Sequence, residues 1–251
     1  MIRNIAALVK NDLAIAFKNK SVYLILFIPL FAVLSLKLVD PPKQTIHMNS
    51  RSDVKQMHEG GIQKHTLPTW VLMSVLLVGF IIMPSQVAEE KEKKMLLGLL
   101  QTPMRETEWV LAKVLLGMIL TFAAVFLLHA LGGFDLGQAS SYLLFMAAGG
   151  FCFSSFGIFL GFLCASQASA RNLGVLFYLP LMLPAALSDF SQKLSAVAPV
   201  FPSYQFFAPV RSILLKGGSV SNFPFELMYL LLLGMIACLI SIRLIKLRWL
   251  M

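Results

Sequence analysis

Residues 89–105 read EEKEKKMLLGLLQTPMR, a short charged segment between two long apolar runs. Two acid–base pairs, Glu89 with Lys93 and Glu90 with Lys94, are spaced four residues apart with the acid first, the favourable order on a helix. Four apolar residues behind them recur three and four apart and therefore share one helix face. They are Met95, Leu96, Leu99 and Leu100. The segment is predicted to be a short amphipathic helix.

The predicted helix ends at Thr102-Pro103, because a proline disfavours the helical conformation of the residue before it. Beyond it, Glu108 and Lys113 open the next apolar run. Lys113 lies one turn inside that run and is expected to reach back to the aqueous surface. On charge pattern alone, a solvated loop held against the lipid surface by its leucines explains the segment as well.

Composition places most of the chain in lipid. Hydrophobic residues make up 58% of the 251 residues and charged residues 13%, with a mean hydropathy of +0.79. A soluble domain carries about a quarter charged residues. The net charge is +9, but Lys and Arg lie in the gaps between apolar runs instead of on one polar face. A membrane protein is therefore predicted, with the lipid bilayer as a partner and no nucleic acid.

The apolar pattern predicts an all-α membrane protein with a single domain over residues 1–251 and about six transmembrane helices. The predicted spans are residues 21–39, 68–88, 109–131, 141–165, 173–187 and 224–245. Residues 1–20 form an amphipathic pattern that predicts an interfacial helix. Residues 189–222 are too polar to span but rich in aromatic residues and proline, which predicts re-entrant half-helices.

The distribution of basic residues predicts the orientation of the chain. Lys and Arg concentrate in residues 1–20, in residues 89–108, at Arg171 and in the C-terminal tail. The basic residues on the opposite side are fewer and spread over longer loops. The positive-inside rule therefore predicts that both termini are cytoplasmic in a multi-pass protein of the cell membrane.

Small residues line one face of the fourth predicted span. Gly150, Ser154, Gly157 and Gly161 recur at spacings of three and four and permit close helix approach. This face fits a dimer seam and ordinary packing within the chain equally well. Cys152, Cys164 and Cys238 lie inside apolar runs without CxxC pairing, so they are interpreted as packing residues.

The histidines do not form a recognisable metal motif. His47, His58 and His65 lie in the polar loop of residues 40–67, with no acidic or cysteine partner at ligand spacing. An external loop without a metal or other cofactor is the preferred interpretation. His129, at the end of the third predicted span, is expected to be a packing or interfacial residue more than a proton carrier.

The segment of residues 89–105 contains, in order, a Glu-Lys-Glu turn, spaced leucines and Thr-Pro. The apolar run that follows has Glu and Lys near its start. The residues are Glu90, Lys91, Glu92, Leu96, Leu99, Leu100, Thr102, Pro103, Glu108 and Lys113. This order resembles the cytoplasmic coupling segment of type-2 ATP-binding-cassette (ABC) transporter permeases. The second half of the chain carries weaker matches to the same family. They are Gly161, Phe162, Leu163 and Ser166, then Pro202, Tyr204, Arg211, Gly217 and Gly218.

The resemblance implies a transporter subunit, typically of an exporter, that works with a separate ATP-binding subunit and a second permease chain. It also implies which residues contact the ATPase subunit. They are Glu89, Glu90, Lys91, Glu92, Lys93, Leu96, Leu99, Leu100, Thr102 and Pro103. The sequence holds no GxxxxGK[ST] phosphate loop, so this chain is not expected to be an enzyme, and ATP hydrolysis is expected in the separate subunit.

Two other functions compete with this interpretation. Glu89-Glu90 faintly resembles the EExxxR motif of an intramembrane protease, but Lys94 stands in the arginine position and no HExxH motif is present. An ion-coupled transporter or channel normally needs buried acids or a charged pair inside its spans. Apart from Glu226, the predicted spans contain no acid. A permease driven by a separate ATPase is therefore favoured.

Overall fold

The chain folds as a bundle of α-helices in the computed structural model. The structure describes residues 2–18, 27, 31, 62–95, 105–132, 139–187 and 197–249. The helices are α1 (Ile2–Lys18), α2 (three stretches given below), α3 (Glu106–Gly132), α4 (Ala139–Leu163), α5 (Gln167–Leu187), α6 (Pro202–Lys216) and α7 (Pro224–Trp249). No strand occurs among the described residues. The prediction of an all-α chain is confirmed for this part of the molecule.

Four of the described helices are long and apolar enough to cross a membrane. They cover Leu67–Glu92, Glu106–Ala130, Ala139–Leu163 and Pro224–Lys246, and correspond to the second, third, fourth and sixth predicted spans. The first predicted span, apart from residues 27 and 31, and most of the loop of residues 40–67 lie outside the described residues. The fifth predicted span falls in α5, a helix interrupted by Pro180 and Pro184 that is not among the four.

The helix α2 is continuous but not uniform. It consists of α-helical Ile62–Leu77, the π-helical turn Val78–Ile82 and α-helical Met83–Glu92. It therefore includes residues 89–92, which the sequence assigned to a separate segment, because nothing between Pro84 and Glu92 breaks helical hydrogen bonding. Pro84 has no N–H to donate, and it is the second residue after the π-helical turn.

The helix α4 lies at the centre of the bundle, in contact with α2, α3 and α7. Its small residues allow this. A Cβ atom added to Gly157 would lie 1.9 Å from the carbonyl oxygen of Gly79, and one added to Gly161 would lie 2.6 Å from Val87 Cβ. Ser154 is fully buried against Gly117 of α3. In this chain the small-residue face therefore packs against its own helices, α2 and α3.

Large apolar side chains also face outward along the bundle. Their positions lie mainly on α3, α5 and α7 and include Phe126, Leu176 and Phe225, which are 65–77% exposed. Outward apolar surface of this extent is expected for helices surrounded by lipid. By contrast, α2 buries 83% of its most apolar stretch inside the bundle. The helix that leads into the charged segment is thus the most enclosed of the four candidate spans.

The segment before the last helix contains α6, flanked by two short 3-10 turns, Ala198–Val200 and Val220–Asn222. Fifteen residues give a length of about 22 Å, which is less than the ~30 Å of a bilayer core. Phe206 of α6 packs its ring against Gly149 of α4, where a Cβ atom would clash at 2.4 Å. The helix ends at Gly217 in the left-handed conformation (φ 66°), which glycine adopts without strain.

Candidate functional site

The charged end of the bundle is the region where α1, the last turn of α2, the first turns of α3 and the α4–α5 turn meet. Helix α2 ends at Glu92, and Lys93-Lys94 form a turn in which Lys94 is left-handed (φ 55°). The side chains of Glu92, Lys93, Lys94 and Met95 are exposed. Leu96, Leu99, Leu100, Thr102 and Pro103 lie outside the described residues.

One of the two predicted helical ion pairs is confirmed and the other is wrong. The Nζ atom of Lys93 lies 2.5 Å from Oε1 of Glu89. The hydrogen bond to this carboxylate holds the pKa of Lys93 above its ordinary value. The carboxylate of Glu90, by contrast, binds the ammonium of Lys113 on α3 instead of pairing with Lys94. The reason is geometric, since Glu90 faces the interior of the bundle and Lys94 leaves the helix in an exposed turn.

Lys113 does not reach back to the aqueous surface as the sequence suggested. Its side chain is 1% exposed and forms ion pairs with two carboxylates, Glu90 of α2 and Asp12 of α1. The Nζ–Oδ2 distance to Asp12 is 2.6 Å, and Asp12 is itself 5% exposed. The ammonium group also lies 5.5 Å from the ring centre of Trp109. We call Asp12, Glu90 and Lys113 the charge triad.

The charge triad is a costly arrangement that requires all its members. Moving charges out of water costs several kcal/mol per ion, and only close mutual contact offsets this. The two carboxylates would repel each other without the ammonium between them. The triad therefore holds α1, the end of α2 and the start of α3 in one relative position. The triad also places two acids, Asp12 and Glu90, in the protein interior at this end of the bundle. Glu226 is the only acid within the spans predicted from the sequence.

Lys91 joins α2 to the C-terminal end of α4. Its Nζ atom donates hydrogen bonds to the carbonyl oxygens of Phe162 (3.1 Å) and Cys164 (2.5 Å). The last carbonyls of a helix have no partner within the helix, and the helix dipole places partial negative charge there. A lysine ammonium group supplies both the hydrogen-bond donors and the positive charge that this helix end lacks. Lys91 is therefore directed into the bundle, in contrast to the exposed Lys93.

Glu89 and Glu92 join α2 to the N-terminal end of α5. The carboxylate of Glu92 accepts a hydrogen bond from the backbone N–H of Gln167 (2.9 Å), the first residue of that helix. The carboxylate of Glu89 accepts another from the Gln167 side-chain amide (2.9 Å). A carboxylate at a helix N-terminus is favourable because backbone N–H groups and the helix dipole both point at it. Four consecutive residues, 89–92, thus contact the ends of three other helices.

The two chain ends pack at the same end of the bundle. Asn4 of α1 donates a 3.4 Å hydrogen bond to the carboxylate of Glu108. Leu8 and Leu13 of α1 pack on an apolar cluster that also contains Trp109 and Ile245 of α7. The N-terminal helix, the charged segment and the C-terminal part of α7 therefore share one end of the molecule.

Sequence reasoning missed Asp12 and Gln167 as partners of the charged segment. The available signal for Asp12 was a single acid within an otherwise basic N-terminal helix. No pattern in the sequence marks Gln167, because its role depends on where α5 begins relative to α2. His129 is buried, with Nδ1 3.0 Å from the carbonyl oxygen of Val125 and its ring 5.1 Å from that of Tyr142.

Within the described ranges, no group of three His, Cys, Asp or Glu side chains is arranged to hold a metal ion. His47, His58 and His65 lie outside those ranges. The charge triad, with two acids around a lysine, is a set of ion pairs and not a ligand set, because the ammonium group occupies the position between the carboxylates.

A bundle of long apolar helices with outward apolar faces and charges gathered at one end defines a multi-pass helical membrane protein. Residues 36–243 match the model of a family described as ABC-2 family transporter protein. The chain therefore belongs to the ABC-2 transporter family and is a membrane subunit of an ABC transporter. This confirms the resemblance found in residues 89–113. A comparison with curated proteins finds no match.

Proposed function

We propose that this chain is the permease of an ABC exporter, driven by a separate ATPase subunit that binds the segment of residues 89–105. In this proposal two permease chains, identical or different, form the pathway in the cell membrane, with the charged end in the cytoplasm. Family membership supports the association with an ATP-binding subunit. The position of the contact is our inference from the charged end.

The proposal rests on one observation: within residues 89–95, some side chains point into the bundle and others are exposed. Glu90 and Lys91 are directed into the bundle, where Glu90 binds Lys113 of α3 and Lys91 binds the C-terminal end of α4. Lys93, Lys94 and Met95 are exposed on the opposite side of the same short stretch. A protein that binds the exposed side is thus one residue away from residues 89–92, which contact the ends of three other helices. A displacement there changes the positions of several spans at once.

The same end of the bundle also carries both chain ends and the α4–α5 turn, which supports the proposed topology. These are the segments in which Lys and Arg concentrate. The positive-inside rule places such segments in the cytoplasm, where an ATPase subunit finds ATP. The contacts of Asn4 with Glu108, and of Lys91 with Phe162, bring these separate segments to one surface.

The test replaces two leucines of the segment, Leu96→Asp and Leu99→Asp, in one variant. Burial of a leucine contributes about 1.5–3 kcal/mol, so the loss of two should weaken a docked complex well over tenfold. The variant should insert and fold normally, because neither residue lies in a predicted span. The measurements are co-elution of the ATPase subunit from the membrane extract and the ATP hydrolysis of the eluted complex.

A matched control is the exposed charge variant Lys94→Gln, which removes a charge from the same surface without changing apolar area. It should retain most of the ATPase subunit. If the double aspartate variant co-elutes with the same ATPase at the wild-type ratio and hydrolyses ATP at the wild-type rate, the segment is a membrane-surface loop and the proposed contact is wrong.

A further inference from the structure

The π-helical turn Val78–Ile82 divides α2 into two halves with different surroundings. Towards the charged end, Met83–Glu92 finishes in the ion pairs and hydrogen bonds described above. This half also packs by apolar contact, with Met83 and Val87 fully buried. On the other side of the turn, residues 67–77 belong to a second apolar cluster, with Val71, Leu72 and Leu76 fully buried. The two halves therefore pack in different clusters, and only Met83–Glu92 also ends in polar contacts to other helices, which can exchange with water.

The sequence explains why the helix widens at this position. The N–H of Met83 donates to the carbonyl of Val78, five residues back, which is the hydrogen bond of a π-helix. The next residue, Pro84, has no N–H, so the carbonyl of Phe80 loses the donor that an α-helix would provide. A one-residue widening avoids the clash of the proline ring with that carbonyl.

Two carbonyl groups of the π-helical turn pack directly against glycines of neighbouring helices. A Cβ atom on Gly157 of α4 would lie 1.9 Å from the carbonyl oxygen of Gly79, and one on Gly174 of α5 would lie 1.9 Å from that of Phe80. Contacts this close exist only because both residues lack a side chain. They allow weak Cα–H···O interactions. At Gly150, by contrast, the nearest atom would lie 3.6 Å away.

The side chain of Phe80 links the turn to the far part of the bundle. Its ring centre lies 6.0 Å from that of Phe153 on α4, which in turn lies 6.0 Å from that of Phe206 on α6. All three rings are buried. This aromatic trio fills the space between α2, α4 and α6, and the buried side chains of residues 67–77 belong to the same close-packed apolar cluster.

We propose that the π-helical turn Val78–Ile82 is a hinge in α2. The half Met83–Glu92 changes its angle about the contacts with Gly157 and Gly174, while residues 67–77 and the aromatic trio stay packed. This inference rests on the proposed function, in which an ATPase subunit bound at residues 89–105 supplies the force that moves Met83–Glu92. The hinge itself is a property of this chain, and π-helical turns occur frequently at functional positions.

The first experiment measures amide hydrogen exchange of the purified chain in lipid nanodiscs, without any ATPase subunit. A hinge opens locally, so the amides of residues 78–83 should exchange about tenfold faster than those of the equally buried residues 71–77. Equal protection of the two stretches would show a rigid helix and would overturn the proposal.

The second experiment deletes one residue of the turn. A π-helical turn is an α-helix with one residue inserted, so deletion of Ile81, which is only partly buried, should give a regular α-helix while both flanks keep their faces. The Ile81 deletion also carries Pro84→Ala, because the proline ring would clash with the carbonyl four residues back in a regular α-helix. The matched control deletes Met73, also partly buried but within a regular α-helical stretch. That deletion rotates one half of the helix by about 100° against the other.

The Ile81 deletion should fold with near wild-type thermal stability and slow the exchange of the surrounding amides to the level of residues 71–77. The Met73 deletion should fail to give a folded chain. If the Ile81 deletion is as damaging as the Met73 deletion, or if exchange stays fast in the folded variant, the hinge is wrong. Both experiments use the permease alone. They therefore test the hinge independently of the proposed function, which is tested by co-elution of an ATPase subunit.

Discussion

Replacement of Lys113 by methionine tests the charge triad most simply. The ammonium group is 1% exposed, and its removal leaves the carboxylates of Asp12 and Glu90 facing each other without compensation. Removal of one partner from a buried ion pair costs about 3–5 kcal/mol. This corresponds to a shift of about two to three and a half orders of magnitude in the unfolding equilibrium constant.

The assay is equilibrium unfolding of the purified chain in mixed micelles with increasing denaturing detergent, followed by tryptophan fluorescence. Trp109, next to Lys113, reports directly on this region. The control is Lys93→Met, which breaks an exposed ion pair and should change stability little, since surface pairs contribute little. An unchanged transition for Lys113→Met would show that the lysine lies in water, and the account of the charged end would fail.

A second variant separates charge burial from loss of packing. The triple replacement Asp12→Leu, Glu90→Met and Lys113→Met removes all three charges together. Replacing a buried ionic cluster by apolar residues of similar volume is often neutral or stabilising. The triple variant should therefore recover most of the stability lost in Lys113→Met. If it is as unstable as the single variant, the cost arises from shape and not from the two uncompensated carboxylates.

Two further predictions concern topology and packing. In intact cells a membrane-impermeant thiol reagent should modify Lys55→Cys and spare Lys93→Cys, the native cysteines being buried; labelling at 93 alone would reverse the proposed orientation. Gly157→Ala should lower thermal stability by about 1–3 kcal/mol or more, because its Cβ atom would meet the carbonyl oxygen of Gly79 at 1.9 Å. Gly150→Ala, with its nearest contact at 3.6 Å, should be nearly neutral, and equal effects at both positions would contradict the packing described here.

Much of the fold follows from the sequence because apolar run length and charge placement are local properties. The positions of the spans in α3, α4 and α7 agree with the apolar runs to within a few residues. The pair Glu89–Lys93 is also local, since both residues lie on one helix turn. The family resemblance rested on the same kind of signal, a short motif between two apolar runs.

The charge triad could not be predicted in this way because it joins residues about a hundred positions apart. Whether Glu90 pairs with Lys94 or with Lys113 depends on which side of α2 faces the bundle, and a charged helix end offers no apolar stripe to decide this. The π-helical turn was missed for a similar reason. Pro84 suggests a disturbance of the helix, but whether the helix kinks or widens depends on the glycines of α4 and α5 that receive its carbonyls.

The central claim is that an ATPase subunit binds the exposed side of residues 89–105, and site-specific photocrosslinking in membranes measures this directly. A photoreactive amino acid at Met95, which is 44% exposed at the charged end, should form an adduct with a protein that carries a phosphate loop. The same probe at Leu176, an exposed apolar position on α5, should not. If Met95 gives no such adduct while the permease still co-purifies with an active ATPase, the contact lies elsewhere and the account is contradicted.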